Sequence, residues 1–239
     1  MSNEEREDFF KSIEELLELG ASATNETIEN NAFEYIKSQK HILPNKFLSL
    51  RNKNKKAIFM AGGSGAGKSE TALTLIKELK IDIIDTDNIR KICPMYSGAN
   101  SHLFQKASSK GVATLLDYAF KNELSFILDG NFAEYHIQKK NIERAFKRGY
   151  SVEIVFVYRD KEIAKEYTRK REKTEGRVVP DNVFEKKYID SIETTKSILG
   201  EFDNISFMFV DLTNRELSIT EEGKKKFNEL TSLMKLRER

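Results

Sequence analysis

The sequence predicts an α/β protein built on a parallel β-sheet with helices on both faces. Three observations lead there. Short apolar runs alternate with helical apolar faces from residue 57 to residue 210. The runs are continuous rather than alternating, as in strands buried on both faces. A glycine-rich octapeptide closes the first run and opens a helix.

The chain of 239 residues sets 40 Lys and Arg against 38 Asp and Glu, a net charge of +2. Its 16 Phe and 8 Tyr suffice for a sizeable core, so one large domain, or one domain with a small appendage, is expected. No apolar run approaches the ~20 residues of a membrane span. Met1 to Arg6 is polar and acidic, so no secretory signal is expected and the protein is placed in the cytoplasm. Cys93 is the single cysteine, which rules out an internal disulfide and a multi-cysteine zinc site. The near-zero charge argues against a nucleic-acid coat, and no nucleic-acid partner is expected.

Taken in order, Phe9, Ile13, Leu16 and Leu17 recur at helical spacing and Gly20 is the stop. Ser22, Thr24 and Asn25 are candidate N-caps for a second helix bearing Ile28, Ala32, Tyr35 and Ile36 on one face. None has Glu or Gln three residues on, so no capping box chooses between them. Residues 1–50 thus form a helical N-terminal extension, and residues 51–239 a kinase-type domain. Arg51 to Lys56 is a basic, solvated connector. Ala57 to Ala61 is the first strand; Ile81 to Ile84, Ser125 to Leu128, Val152 to Val157 and Ile205 to Val210 are four more. Between them, Ala72, Leu75, Ile76 and Leu79 share a helical face, as do Phe104, Ala107, Gly111 and Leu115. Ile142, Ala145 and Phe146 follow, stopped by Gly149. Phe184, Tyr188, Ile192, Thr195 and Leu199 line a long helix after Pro180, and 221–239 is charged and helical.

Gly62-Gly63-Ser64-Gly65-Ala66-Gly67-Lys68-Ser69 fits G-x-x-x-x-G-K-[ST] in its confirming strand-to-helix context. Glycines let the backbone curl so that N–H groups face phosphate oxygens, and the helix N-terminus adds its positive end. Lys68 suits the β- and γ-phosphates, and the Ser69 hydroxyl suits Mg²⁺. This predicts a P-loop NTPase three-layer sandwich with strand order 2-3-1-4-5. A guanine-reading Asn/Thr-Lys-x-Asp motif is not found after the loop, and a small-molecule kinase is the default reading.

The second strand ends in Asp85-Thr86-Asp87, at the edge where open sheets bind ligands. One carboxylate can sit inward near a metal while the other orients an acceptor hydroxyl and takes its proton. Asp129, after the third strand, holds the Walker-B position, suited to Mg²⁺ or to substrate. Thr168 to Pro180 carries Arg169, Arg171 and Arg177 on a helix–loop lid, where guanidinium groups can clamp a transferring phosphoryl group. His41, His102 and His136 share no ligand-like spacing and are read as structural or surface residues.

Four motifs in one order carry a resemblance. They are Ala61-Gly62-x-x-Gly65-Ala66-Gly67-Lys68-Ser69-Glu70, Asp85-x-Asp87, Asp129-Gly130-Asn131 and Arg171-Glu172-x-x-x-Gly176-Arg177-x-Val179-Pro180. Over roughly residues 55–200 the chain resembles the zeta-toxin family of P-loop kinases. The resemblance implies phosphorylation of the sugar 3′-hydroxyl of UDP-N-acetylglucosamine by ATP or GTP with Mg²⁺. It implies Asp87 as catalytic base, Lys68 and Glu70 in the nucleotide loop, Arg177 with Arg171 or Arg169 as lid cations, and Asp129 as an acidic substrate- or metal-binding position. It also implies a small helical antitoxin as partner. The chain departs from the family's usual His-Pro at Cys93-Pro94 and from Glu-Gly-Thr at Asp129-Gly130-Asn131, both near the acceptor pocket. A kinase of another small metabolite or nucleotide, or a nucleotide-dependent binding switch, are the alternatives. An acceptor kinase needs Asp87, whereas a switch does not.

Overall fold

The computed structural model describes Glu7, Lys11 and residues 24–237. The helix predicted around Phe9 to Leu17, its stop at Gly20 and the cap candidate Ser22 lie outside the described residues. Helix α1 (Asn25–Ser38) is capped by Thr24, whose hydroxyl accepts from the Thr27 N–H at 3.2 Å. A 3₁₀ turn (Gln39–His41) and α2 (Leu43–Phe47), with Pro44 in its first turn, lead on toward the sheet.

The described strands form one sheet in the order β2-β3-β1-β4-β5-β6. They are β1 (Lys56–Ala61), β2 (Asp82–Asp85), β3 (Phe126–Asp129), β4 (Ser151–Tyr158), β5 (Ile205–Asp211) and β6 (Glu216–Ile219). The first five are parallel and follow the predicted order, with Ala57 beside Phe126 and Asp85 beside Asp129. Successive side chains of a strand point to opposite faces. Ala57, Phe59 and Ala61 therefore enter one apolar cluster, while Ile58 and Met60 enter the other. Both faces are buried, which is why the run Ala57 to Ala61 has no polar interruption.

The sixth strand departs from the five predicted. It runs antiparallel to β5, pairing Met208 with Ile219 and Asp211 with Glu216. The Asp211 carboxylate accepts from the N–H groups of Thr213 (2.8 Å) and Asn214 (3.0 Å), and this side-chain turn reverses the chain. The strand hides in the sequence because its pattern is inverted. Leu217 and Ile219 face outward at 64% and 57% exposure, whereas Ser218 is buried.

Helices fill both sides: α3 (Lys68–Leu79), α4 (Thr86–Arg90), α5 (Gln105–Lys121), α6 (Tyr135–Phe146), α7 (Lys161–Glu175), α8 (Asp181–Glu201) and α9 (Thr220–Arg237). The N-terminal helices share the sheet's core. Ala32, Ile36, Leu43 and Leu48 are buried in the same cluster as Phe59 and Phe126. The Asp82 carboxylate at the start of β2 accepts from the backbone N–H groups of Ser49, Leu50 and Arg51, so residue 50 lies within a hydrogen-bonded clasp. No helix among the described residues is long and apolar enough to cross a membrane.

Gly111 lets α5 approach α4. A Cβ there would stand 2.7 Å from Ile89 Cγ2 and 3.5 Å from Ile36 Cγ2. Gly111→Val should therefore overpack the α1–α4–α5 contact and lower the unfolding free energy by about 1–3 kcal/mol. Urea melts of the two proteins check this, and equal midpoints would contradict it.

Candidate functional site

The carboxyl ends of β1, β2 and β3 meet at one edge of the sheet, and each delivers part of the site. After β1 the chain turns through the loop Gly62 to Gly67 into α3. Two of its glycines have no substitute. Gly62 has φ 130° and a Cβ would lie 2.3 Å from the Val157 carbonyl oxygen; Gly65 has φ 72° and would meet the Ala164 carbonyl oxygen at 2.0 Å. The loop is thus pressed between β4 and the lid helix α7. Ala66 is buried, and Ser64 and Glu70 lie at the rim of loop and helix.

Lys68, in the first turn of α3, donates from Nζ to the Gly63 carbonyl at 2.7 Å. Burial lowers its pKa from the usual ammonium value; Asp129 and Asp87 oppose this, while Arg171 and Arg177 add to it. These five residues therefore share one electrostatic neighbourhood, although they come from four separate stretches of sequence. Ser69 Oγ donates to Asp129 Oδ2 at 3.4 Å. Asp129 is 8% exposed, and its other oxygen, Oδ1, has no hydrogen-bond partner among the described residues. Burial pushes its pKa up to about 6, against the pull of Lys68, with Asp85 and Asp87 adding to the rise.

An orphaned buried carboxylate oxygen beside a serine hydroxyl suits a hard divalent cation, which takes oxygen ligands. Among the described residues no group of three His, Cys, Asp or Glu could hold a metal. A Mg²⁺ ion at this place would be shared with nucleotide phosphates and water, and Ser69 and Asp129 are the residues that would hold it.

The two aspartates ending β2 behave differently. Asp85 caps α4, accepting from the Asp87 N–H (2.9 Å) and the Asn88 N–H (3.2 Å), and burial raises its pKa, with the charge of Asp87 second. Asp87 is partly exposed and gripped by two arginines. Arg90 Nη1 donates to its Oδ1 at 2.5 Å, and Arg177 Nη1 from the lid donates to Oδ2.

The lid is the second half of α7 with the loop 176–180, begun at Gly176 in the left-handed region (φ 70°). Arg171 and Arg177 act on Lys68. Arg169 takes different partners. It pairs instead with Glu172 at 2.8 Å, with the Val179 carbonyl at 3.3 Å and with Asp181. Residues two apart on a helix point about 200° away from one another, so Arg169 and Arg171 cannot both face the loop. Arg169 fastens the two ends of the lid to one another.

Sequence reasoning missed Arg90 and Arg159. Asp87 and Arg90 stand three apart on a helix, a spacing that brings side chains together, and this signal was available. Arg159, just past β4, lays its guanidinium 4.1 Å from the Tyr167 ring centroid and reaches the P-loop at Gly67. Nothing local in the sequence marks it. At Asn131 the side chain accepts from the Ala133 N–H at 3.2 Å, a turn that carries the chain off the end of β3.

With this geometry in place, comparison with known proteins is decisive on one point. The family model described as zeta toxin matches residues 39–217. The chain belongs to the zeta toxin family. As a member it is an ATP-dependent kinase with a nucleotide-binding P-loop. No curated protein matches the sequence. Solved structures share the fold at low identity. A structure of the PezAT chromosomal toxin–antitoxin system of the human pathogen Streptococcus pneumoniae is 19% identical, with a TM-score of 0.62 over 83% of this chain and 84% of that one. The AvrRxo1-ORF1:AvrRxo1-ORF2 structure with sulphate ions is 12% identical, with a TM-score of 0.64 over 83% and 72%. The same pair with ATP has a TM-score of 0.58 at 12% identity, over 87% and 71%.

The raised pKa of Asp129 fixes a pH dependence in this zeta toxin relative. The folded chain binds the proton more tightly than the unfolded chain, so the contribution of Asp129 is least unfavourable below the unfolded value. It worsens as pH rises from about 4 to about 6, and is fully unfavourable above that. Without nucleotide or Mg²⁺, Asp129→Asn should abolish that slope. The variant should gain up to about 3 kcal/mol on wild type between pH 4 and pH 8. Denaturant melts at the two pH values test this, and parallel losses in both proteins would contradict it.

Proposed function

We propose that the protein transfers the γ-phosphate of ATP or GTP to a hydroxyl of a nucleotide sugar of the UDP-N-acetylglucosamine kind. The observation that carries this reading is the partly exposed carboxylate of Asp87, in the same charged neighbourhood as Lys68, Arg171 and Arg177. In the proposed reaction the acceptor oxygen attacks the γ-phosphorus as its proton passes to Asp87 Oδ2. The bond from the γ-phosphorus to the β–γ bridging oxygen breaks, and the nucleoside diphosphate leaves with that electron pair. Transfer of this sort is chiefly positioning and electrostatic stabilisation.

The loop from Gly62 to Gly67 holds the phosphates with backbone N–H groups, helped by the N-terminus of α3 and its Glu70-bearing first turn. Lys68 moves from the Gly63 carbonyl to the β- and γ-phosphates. Arg171 and Arg177 meet the charge spread over the transferring oxygens. Ser69 and Asp129 would hold Mg²⁺, which would supply neutralisation of the phosphate charge. A small partner protein is proposed as well, because the structures sharing this fold come from a toxin–antitoxin system and from a two-protein complex. A cytoplasmic location accords with the use of nucleoside triphosphate. A different small-metabolite acceptor is the second reading, favoured by the departures from the family's usual sequence at Cys93-Pro94 and Asp129-Gly130-Asn131.

Lys68→Ala should reduce transfer by ~10²-fold or more, the scale of a lost preorganised electrostatic contact. Asp87→Asn should reduce it by roughly 10²–10⁴-fold while ATP·Mg²⁺ affinity stays near wild type, because a base touches the acceptor and not the donor. Mass spectrometry of a metabolite extract incubated with ATP·Mg²⁺ identifies the acceptor, and calorimetry gives the affinities. An Asp87→Asn variant as active as wild type would remove the base. Slow hydrolysis with no phosphorylated acceptor would favour the switch.

A further inference from the structure

Arg90 is an expensive residue to place where it is. It is 5% exposed, and an arginine taken out of water costs several kcal/mol unless its charge and donors are met. Two of its nitrogens are met in a definite way. Nη1 donates to Asp87 Oδ1 at 2.5 Å, and Nη2 donates to Gln105 Oε1 at 2.5 Å, so the guanidinium bridges α4 to the first residue of α5. Its Nε has no partner among the described residues. Gln105 is held in turn, donating to the Ser109 hydroxyl at 3.4 Å. The backbone beneath is fixed by close packing, since Ile89 lies against Gly111 of α5 with no room for a Cβ between them.

The two arginines on Asp87 are unlike. Arg90 lies on the same short helix as Asp87 and is buried, whereas Arg177 reaches across from the lid loop with 32% of its side chain exposed. An acceptor entering the site can displace Arg177 from Oδ2, but it cannot reach Arg90. We propose that Arg90 is a positioning residue for phosphoryl transfer: with Gln105 it pins Asp87 Oδ1, fixes the plane of the carboxylate, and leaves Oδ2 as the oxygen that receives the acceptor. Arg177, once displaced, is free to meet the transferring phosphoryl group. This proposal rests on the reading of Asp87 as the base.

The other charged groups around Asp87 are Asp85 on its own turn, Lys68 from α3 and Asp129 from β3. Lys68 and Asp129 belong to the donor side of the site, so a defect confined to Arg90 separates from theirs by its kinetics. Loss of the pin should lower kcat and leave the KM for ATP and the ATP·Mg²⁺ affinity unchanged. The ordering among variants follows from geometry. A planar fork bridges two acceptors at once, whereas an ammonium serves Asp87 alone.

The test measures initial rates of radiolabel transfer from ATP·Mg²⁺ to UDP-N-acetylglucosamine and, in parallel, to a small-metabolite extract, over a range of ATP concentrations. Wild type, Arg90→Lys, Arg90→Gln, Gln105→Leu and Asp87→Asn are compared. Arg90→Gln should lose about 10²-fold in kcat, on the scale of misplaced reacting groups. Arg90→Lys should recover part of that loss, and Gln105→Leu should lose several-fold, all at wild-type KM for ATP. Wild-type kcat in folded Arg90→Gln overturns the proposal, as does a loss that appears equally in KM for ATP. If thermal melts show Arg90→Gln unfolded, Gln105→Leu decides, because Gln105 is exposed and its loss spares the core; a wild-type kcat there overturns the proposal. Asp87→Asn separates the two levels. If it is active the base reading itself fails, whereas an inactive Asp87→Asn beside an unimpaired Arg90→Gln removes Arg90 alone.

Discussion

The site depends on burying Lys68 next to Asp129 at the end of a parallel sheet. Neither group sits there at ease. Burial drives the lysine toward its neutral form and the aspartate toward its protonated form, and each opposes the other's shift. A scaffold that only had to be stable would not keep both, since hydrophobic residues of similar volume often do as well or better in such places. Nearly every local feature follows from holding this pair in place. The P-loop glycines let the backbone pass under the carbonyls of Val157 and Ala164. The strand register sets Asp129 beside Asp85, and Asp85 is spent on capping α4. That division leaves Asp87 free of capping and paired with Arg177 of the lid.

The lid arginines divide their work for an equally simple reason. Helical geometry sends Arg169 and Arg171 to different faces, so one fastens the lid to the start of α8 while the other joins the charged neighbourhood of Lys68. The result is a segment tied at its two ends by Arg169 and touching the site near its middle. Arg177 contacts Asp87 from just beyond the left-handed turn at Gly176, where the helix can no longer continue.

Much of this was legible in the residues alone. Strands buried on both faces read as largely apolar runs, so the five parallel strands were found, and the P-loop supplied their order. The P-loop could be read because its glycines, lysine and serine form one short local motif between a strand and a helix. What escaped the sequence depended on contacts made at a distance or on patterns turned inside out. In β6 the apolar Leu217 and Ile219 face outward and the polar Ser218 inward. Nothing adjacent to Arg90 announces that Gln105 will arrive to share it. Arg159 reaches Gly67 only once β4 has been laid beside β1. A polar, basic connector sets the N-terminal helices apart in the sequence, and what the sequence does not show is that the Asp82 clasp and the shared core join them to the sheet.

That shared core has a practical meaning for anyone who would shorten the chain. The family match begins at residue 39, one residue after α1 ends, so domain trimming by homology would cut α1 away. The cut would remove Ala32 and Ile36 from the cluster that also holds Ile89, the neighbour of Arg90 on the turn carrying Asp87. A fragment made that way would keep every motif by which the family is recognised. It would lose the wall against which its most exacting helix is braced, and its silence in an assay would say nothing about the chemistry of the intact protein.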